Sequence, residues 1–430
     1  MLVEFRIENY KCFRDEQVFS LVAGGDDTLP GNVVDLPIGK GLRLVKSAVI
    51  YGANASGKTT LLDALAFFAN FIRTSFKRDP DAKTGVSPFL LDAASTSKPT
   101  SFEATFIAED GVLYRYGYSL NQTTVLEEWL ISYPAGRPRQ LFRRRTEEDG
   151  KPHFKFSSHL RGEKDKLAEF TRPNALFLSV GANLNNPQLL TVYRWLTYQV
   201  GGVQAQRLGH QTPIARMLVE KKVESARVRE LLKYADLGIV DFVLTEHELT
   251  PQSLQDAPED VRKVLQAMLD NLPEPESRML TVEFVHQAPN AQVSFDLEDE
   301  SGGTRQLFAL SPFLLSALTE GGPIFVDELD ASLHPLLVRA LVGLFHNPET
   351  NPNNAQLIFN THDTTLLSSA VFRRDQIWLV EKAPDGASWI YSLLDYSPRK
   401  DEALEKGYLQ GRYGAIPFLG EPAEGLLDHA

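Results

Sequence analysis

Leu44-Val-Lys-Ser-Ala-Val-Ile-Tyr-Gly-Ala-Asn-Ala-Ser-Gly-Lys-Thr-Thr60 governs the reading of the whole chain. An apolar run, Ala48 to Tyr51, stops at Gly52. Gly52-x4-Gly57-Lys58-Thr59 follows, and then a helical pattern with Leu61, Leu65, Phe68 and Ile72 on one face. Strand, glycine loop and helix in that order form a phosphate-binding loop. The glycines let backbone N–H groups curl around phosphate oxygens, and the helix N-terminus adds the positive end of its dipole. Gly52, Asn54, Ser56, Gly57, Lys58, Thr59 and Thr60 are therefore the candidate nucleotide contacts. Lys58 is expected to reach the β- and γ-phosphates, and the Thr59 hydroxyl to hold Mg²⁺.

Bulk properties bound the rest. The 430 residues suffice for two or three domains, or one large domain with insertions. Apolar residues make up 43% and charged residues 23%, a globular composition. One cysteine, Cys12, excludes an internal disulfide framework and suits a reducing cytoplasm. It reads as a small packed residue, with a reactive thiol beside Lys11 as the alternative. The opening Met1-Leu-Val-Glu-Phe-Arg-Ile-Glu8 carries charges inside its apolar run, unlike a signal peptide. No apolar stretch nears the roughly 18 residues of a membrane span. A net charge of −12 argues against a surface basic overall, while leaving room for a local basic groove.

The pattern along the chain predicts strands at residues 2–8 and 17–22, a loop from Gly24 to Gly41, and a helix from the glycine loop to about Phe76. From Thr100 the period becomes two. Strands are expected at 100–107, 114–120, 125–133 and 140–145, an antiparallel meander with Glu109-Asp110-Gly111 among its turn signals. Residues 160–280 read as mostly helical. Asn186-Pro187 opens one helix, Thr212-Pro213 opens a long one ending near Gly238, and 258–271 forms another before the breaker Pro273-Glu-Pro-Glu-Ser277. Strands resume at 280–287 and 291–297, then a helix at about 303–318, buried strands at 324–326 and 356–359, and a hairpin of 377–381 with 389–394. Pro312 is expected to kink the 303–318 helix or end it early.

Three further stretches carry chemistry. The apolar strand of Gly322-Pro-Ile-Phe-Val-Asp327-Glu328 ends in two acids. Asp327 can hold Mg²⁺ and Glu328 can polarise an attacking water. Ser301-Gly302-Gly303 opens a helix, as an anion site or as a plain N-cap. His362 in Asn360-Thr361-His362-Asp363 follows a buried strand directly. Such strand ends are where α/β sheets bind ligands, and His362 is a candidate γ-phosphate contact.

These pieces, in this order, resemble the ABC/SMC-type ATPase head. The resemblance implies Gly52–Thr59 as Walker A, Ser301-Gly302-Gly303 as the signature motif, Asp327 and Glu328 as Walker B, and His362 as the switch histidine. Ala331-Ser-Leu-His334 sits at the D-loop position. It departs from transporter ATPases and is similar to SMC-like and OLD-like ATPases. In those heads a basic residue at the Lys11 position approaches the phosphates. Pro88-Phe-Leu-Leu-Asp92, Glu128-Trp129, Arg374-Asp-Gln-Ile-Trp378 and Gly411-Arg-Tyr-Gly-Ala-Ile-Pro417 narrow the resemblance to the RloA-like bacterial ATPases over nearly the full chain. No glutamine is assigned to the Q-loop. The implied fold is α/β, an ABC/SMC-type P-loop ATPase head with an antiparallel β subdomain and a helical insertion. Its expected parts are residues 1–160, a mainly helical 161–278, and 279–430.

The resemblance implies ATP and Mg²⁺ as cofactors and a homodimer, or higher homo-oligomer, closed over ATP between heads. It also implies a separate effector, a nuclease or toxin, in cytoplasmic anti-phage defence, with a phage component or nucleic acid as trigger and no membrane. A DNA repair or recombination clamp is the alternative. OLD-like nucleases carry a further metal-dependent nuclease domain, which the tail beyond Leu394 is too short to form. Gly411 to Gly414 could dock on the head or on a partner. Arg143-Arg144-Arg145 could touch nucleic-acid phosphates or form a charged sheet edge.

Overall fold

The computed structural model describes residues 1–39, 41–147, 149–199, 201–204, 218, 223–235, 238–248, 278–399 and 402–417. Two compact units emerge. The first comprises Met1–Gly202, Ala317–Asp330 and Val338–Ala430; the second comprises Val203–Ser316 and Ala331–Leu337.

Among the described residues the first unit has two large sheets and a small two-stranded one. In one, the strands Pro323–Asp327, Gln356–Asn360, Ser47–Tyr51 and Ile377–Lys382 run parallel in that spatial order, with Ser388–Ser392 antiparallel at the edge. Their near-continuous apolar sequences follow from burial on both faces: all five residues of Ser47–Tyr51 are buried. The second sheet is antiparallel. Its order is Pro152–Phe156, Arg139–Thr146, Val125–Ser132, Leu113–Leu120, Thr100–Ile107, Leu2–Glu8, Gln17–Ser20. The expected meander is present, extended by a strand at Pro152–Phe156 that the reading did not include. The opening strand joins it by pairing with Thr100–Ile107.

The helix Lys58–Thr74 lies in one apolar core that draws on both sheets. Phe68 meets Phe5 edge-on at 5.6 Å and stacks on Tyr118 at 5.3 Å. The same core takes in Ile50, Phe325, Ile358 and Val380 of the parallel sheet. The helix is thereby wedged by its own large residues, and the glycine loop at its N-terminus is held by packing on two sides.

The expected loop at Gly24–Gly41 contains a strand, Val33–Leu36, paired with Leu42–Val45. Its signal is short and interrupted by Asp35, and its partner lies beyond the turn. The helices Phe177–Asn183 and Pro187–Arg194 agree with the helical reading, the second capped by Asn186, whose side chain accepts from Leu189 N–H. Ile239–Glu248, inside the region read as helical, is instead a strand paired along its length with Arg278–Gln287. Its Ile-Val-Asp-Phe-Val-Leu-Thr run is rich in β-branched and aromatic residues. The expected long helix is interrupted at Val223-Glu224, where Glu224 is extended, and Ser225–Tyr234 is helical after it. Upstream of Val223 only Leu218, also helical, is described, and the 258–271 helix and the breaker after it fall outside the described residues.

In the second unit, Gln292–Asp296 completes an antiparallel sheet of three strands. The helix Gly302–Glu320 packs on it through Phe308, which meets Phe242 at 5.3 Å and Phe284 at 5.0 Å. The helix continues through Pro312 and does not end there. Proline removes the N–H that the Phe308 carbonyl would accept. The Ser311 hydroxyl replaces it, donating to Phe308 O at 2.8 Å.

Candidate functional site

The glycine loop is built by exclusion. A Cβ on Gly52 would stand 2.4 Å from Val380 O, and one on Gly57 2.8 Å from Cys12 Sγ. Gly57 also has φ 119, a left-handed conformation that glycine adopts at little cost. Ala55 shares that hand at φ 59. The loop thus closes tightly against the strand Ile377–Lys382 and against Cys12, which settles Cys12 as a packing residue of the loop's outer wall.

Inside the loop, Lys58 is buried, with Nζ donating to Gly52 O at 2.8 Å and Ala53 O at 3.1 Å. Burial pulls its pKa down, opposed by the charges of Glu328, Asp327 and Asp330. Ser56 Oγ is buried without a hydrogen-bond partner. An orphaned hydroxyl costs free energy in a protein interior. A phosphate oxygen would satisfy it. Asn54 and Thr59 are exposed, and Thr60 is half-buried in the first helical turn.

The Thr59 hydroxyl donates to Asp327 Oδ1 at 3.0 Å. Two oxygen ligands, one from each motif, meet where Mg²⁺ would be held. The acids sit at the C-terminal end of the strand Pro323–Asp327, and Glu328 has φ 52. Such strain in a non-glycine residue clusters at functional sites. Asn360 Nδ2 donates to Asp327 Oδ1, and Asn360 Oδ1 accepts from Glu328 N–H. Asp330 Oδ2 accepts from His362 N–H at 3.1 Å, joining the turn after Glu328 to the exposed His362. Neither Asn360 nor Asp330 was singled out in the sequence. Both carry roles visible only when the two strand ends are side by side.

Lys11 is also at φ 48. Its Nζ pairs with Asp63 Oδ2 at 2.8 Å on the P-loop helix. Its ammonium is placed against the helix, beside the Tyr10 ring at 5.4 Å.

Ser301, Gly302 and Gly303 belong to the second unit. Ser301 Oγ accepts from Thr304 N–H at 3.1 Å, the geometry of an N-cap. A Cβ on Gly303 would stand 2.8 Å from Ser332 O, so this turn and Ser332, both of the second unit, interlock closely. Glu300 is held by His286.

A cavity of about 730 Å³ opens beside the loop, lined by Gly52, Asn54, His362, Lys382, Tyr408 and Ile416 among others. The tail docks on its own head. Tyr391 OH donates to Tyr413 O at 2.8 Å, and Thr364 Oγ1 donates to Glu405 Oε1 at 3.0 Å. Arg144 is fully buried beside Glu128, while Arg143 and Arg145 pair with Glu127. Only Arg144 of the triplet is withdrawn from solvent; Arg143 and Arg145 remain exposed.

These residues fit a nucleotide and its metal: a glycine cradle, a buried lysine, an orphaned serine hydroxyl and a threonine–aspartate pair. Bound Mg²⁺ would neutralise phosphate charge. Glu328 supplies a carboxylate that can take a proton from water.

A family model described as "AAA domain, putative AbiEii toxin, Type IV TA system" matches residues 47–368. Among solved structures, the chain is similar to a SmcHead bound to the C-winged helix domain of ScpA, at 16% identity and TM-score 0.44, over 91% of this chain and 97% of that one. It is also similar to the SMC head domain from Thermotoga maritima, at 12% identity and TM-score 0.37, over 91% and 98% respectively. No curated protein matches the chain.

Proposed function

The chain belongs to this AAA-domain family, and on that ground we propose that it is a Mg²⁺-dependent ATPase of the ABC/SMC type whose nucleotide state gates a separate effector. One observation carries the ATPase reading. The Thr59 hydroxyl reaches the Asp327 carboxylate, uniting a P-loop with an acid distant in sequence. In this reading Gly52, Asn54, Ser56, Gly57, Lys58 and Thr60 hold the phosphates, and Thr59 with Asp327 holds the metal. Glu328 activates water and His362 contacts the γ-phosphate. Lys11 approaches the phosphates once its ammonium leaves Asp63.

Ser301-Gly302-Gly303 faces the ATP of a second protomer, so ATP closes a homodimer and hydrolysis opens it. The mainly helical 161–278 part between the lobes 1–160 and 279–430 receives the trigger or docks the effector. The effector is a nuclease or toxin used in anti-phage defence in the cytoplasm. Among the described residues no helix is long and apolar enough to cross a membrane.

The test is Glu328→Gln. We expect ATP binding to persist and hydrolysis to fall by about 10²–10⁴-fold, the usual worth of a positioned general base. Light scattering with Mg-ATP should then show a stable dimer. Hydrolysis at the wild-type rate would remove Glu328 from its role, and a persistent monomer would remove the ATP-closed dimer. Affinity capture of the closed variant with its gene neighbours should recover a stoichiometric effector. Recovery of duplex DNA alone would favour the clamp.

A further inference from the structure

Asn360 is fully buried at the end of the strand Gln356–Asn360, between the P-loop strand and the strand that ends in Asp327. Three of its groups engage three consecutive residues. Nδ2 donates to Asp327 Oδ1, Oδ1 accepts from Glu328 N–H, and the carbonyl accepts from Leu329 N–H at 3.2 Å.

We propose that Asn360 is the positioning residue of the hydrolytic site, setting both acids with one side chain. This rests on the ATPase reading above. Asp327 must present an oxygen beside Thr59, and Glu328 must hold φ 52, which a non-glycine residue leaves unless the surroundings fix it. Asparagine alone among small side chains offers a donor and an acceptor on separate atoms at fixed spacing. Aspartate would keep the acceptor for Glu328 N–H and set a second anion against Asp327. Serine would offer one atom for both tasks. Asn360 touches neither nucleotide nor water in this assignment. It orients the residues that do, as outer partners of metal ligands do elsewhere.

A merely structural amide predicts lost stability and a uniform loss of binding. A positioning amide predicts a split. The experiment compares full-length wild type, Asn360→Ala and Asn360→Asp. A fluorescent ATP analogue is titrated in EDTA and then at rising Mg²⁺, and ATP hydrolysis is measured alongside. In EDTA both variants should bind within about twofold of wild type. Their half-maximal Mg²⁺ requirement should rise, and kcat should fall, each by about 10–100-fold, with KM little changed. Asn360→Asp preserves size and the acceptor, so it reports even if Asn360→Ala melts early in circular dichroism.

Unchanged Mg²⁺ requirement and kcat in either folded variant overturn the proposal and leave the ATPase reading intact. A kcat loss matched by an equal loss of EDTA binding also overturns it, since general disorder of the site would do the same. Wild-type protein that neither binds nor hydrolyses ATP overturns both.

Discussion

His346 shows how one residue ties stability to pH. It ends the helix Pro335–His346, and its Nε2 lies 2.7 Å from Ser47 Oγ, at the base of the P-loop strand. Burial, with help from the Lys46 charge, lowers its pKa from 6.5 to about 4. The folded protein thus keeps His346 neutral where the unfolded chain protonates it. The unfolded state binds more protons between those values, so stability is lost as pH falls from about 6.5 toward 4. The expected loss from this residue is about 2 kcal/mol between pH 7 and pH 5, read from urea midpoints. His346→Gln should flatten that dependence; an equal slope in the variant would assign it elsewhere. None of this was legible beforehand, since nothing near His346 in sequence announces Ser47. Lys58, Thr59 and Asp327, by contrast, were legible as residues because their motifs are local.

At the scale of elements, Pro312 teaches the same lesson from the other side. Sequence reasoning rightly saw a helix and rightly saw its obstacle. The helix survives because Ser311, one residue earlier, donates its hydroxyl to the carbonyl that proline deprives of a partner. Ser311 is itself fully buried. Ser311→Ala should cost about 1–3 kcal/mol, the penalty of a buried unsatisfied acceptor. Denaturant unfolding with an unchanged m-value would measure it. A loss of a few tenths would mean that another donor reaches Phe308 O. The strand Ile239–Glu248 was misread for a related reason. Its apolar run has both helical and strand readings, and its pairing with Arg278–Gln287 decides between them.

At the scale of the molecule, the first unit is pinned by a buried ion pair. Glu128 and Arg144 are both fully buried, 3.9 Å apart. Glu128 also accepts from Tyr116 OH and from the N–H groups of Phe177 and Leu178, so the meander grips the start of the helix Phe177–Asn183. Arg144 donates to Ala175 O and Pro173 O. Desolvation raises the Glu128 pKa despite the nearby guanidinium. Glu128→Ala leaves that guanidinium buried without its counter-charge and should cost about 3–5 kcal/mol. A loss under 1 kcal/mol in urea unfolding would show that the backbone carbonyls alone satisfy Arg144. The stretches Glu128-Trp129 and Arg374-Asp-Gln-Ile-Trp378 thus prove structural. In the second, Asp375 holds the buried Arg373 and the Gly24 N–H.

The sequence by itself determined the glycine loop between strand and helix, the acids at a strand end and most strands of the meander. Each of these is written in neighbouring residues: glycine where a side chain cannot fit, an apolar run where both faces are covered, and a period of two where one face is covered. Tertiary structure alone decided that Leu2–Glu8 inserts between Thr100–Ile107 and Gln17–Ser20, that Lys11 meets Asp63, and that Arg144 is buried. It also decided that Asn360 grips both acids. Those facts depend on which distant strands lie side by side. Hydrogen-bond geometry acts over about 3 Å in space and takes no account of separation along the chain.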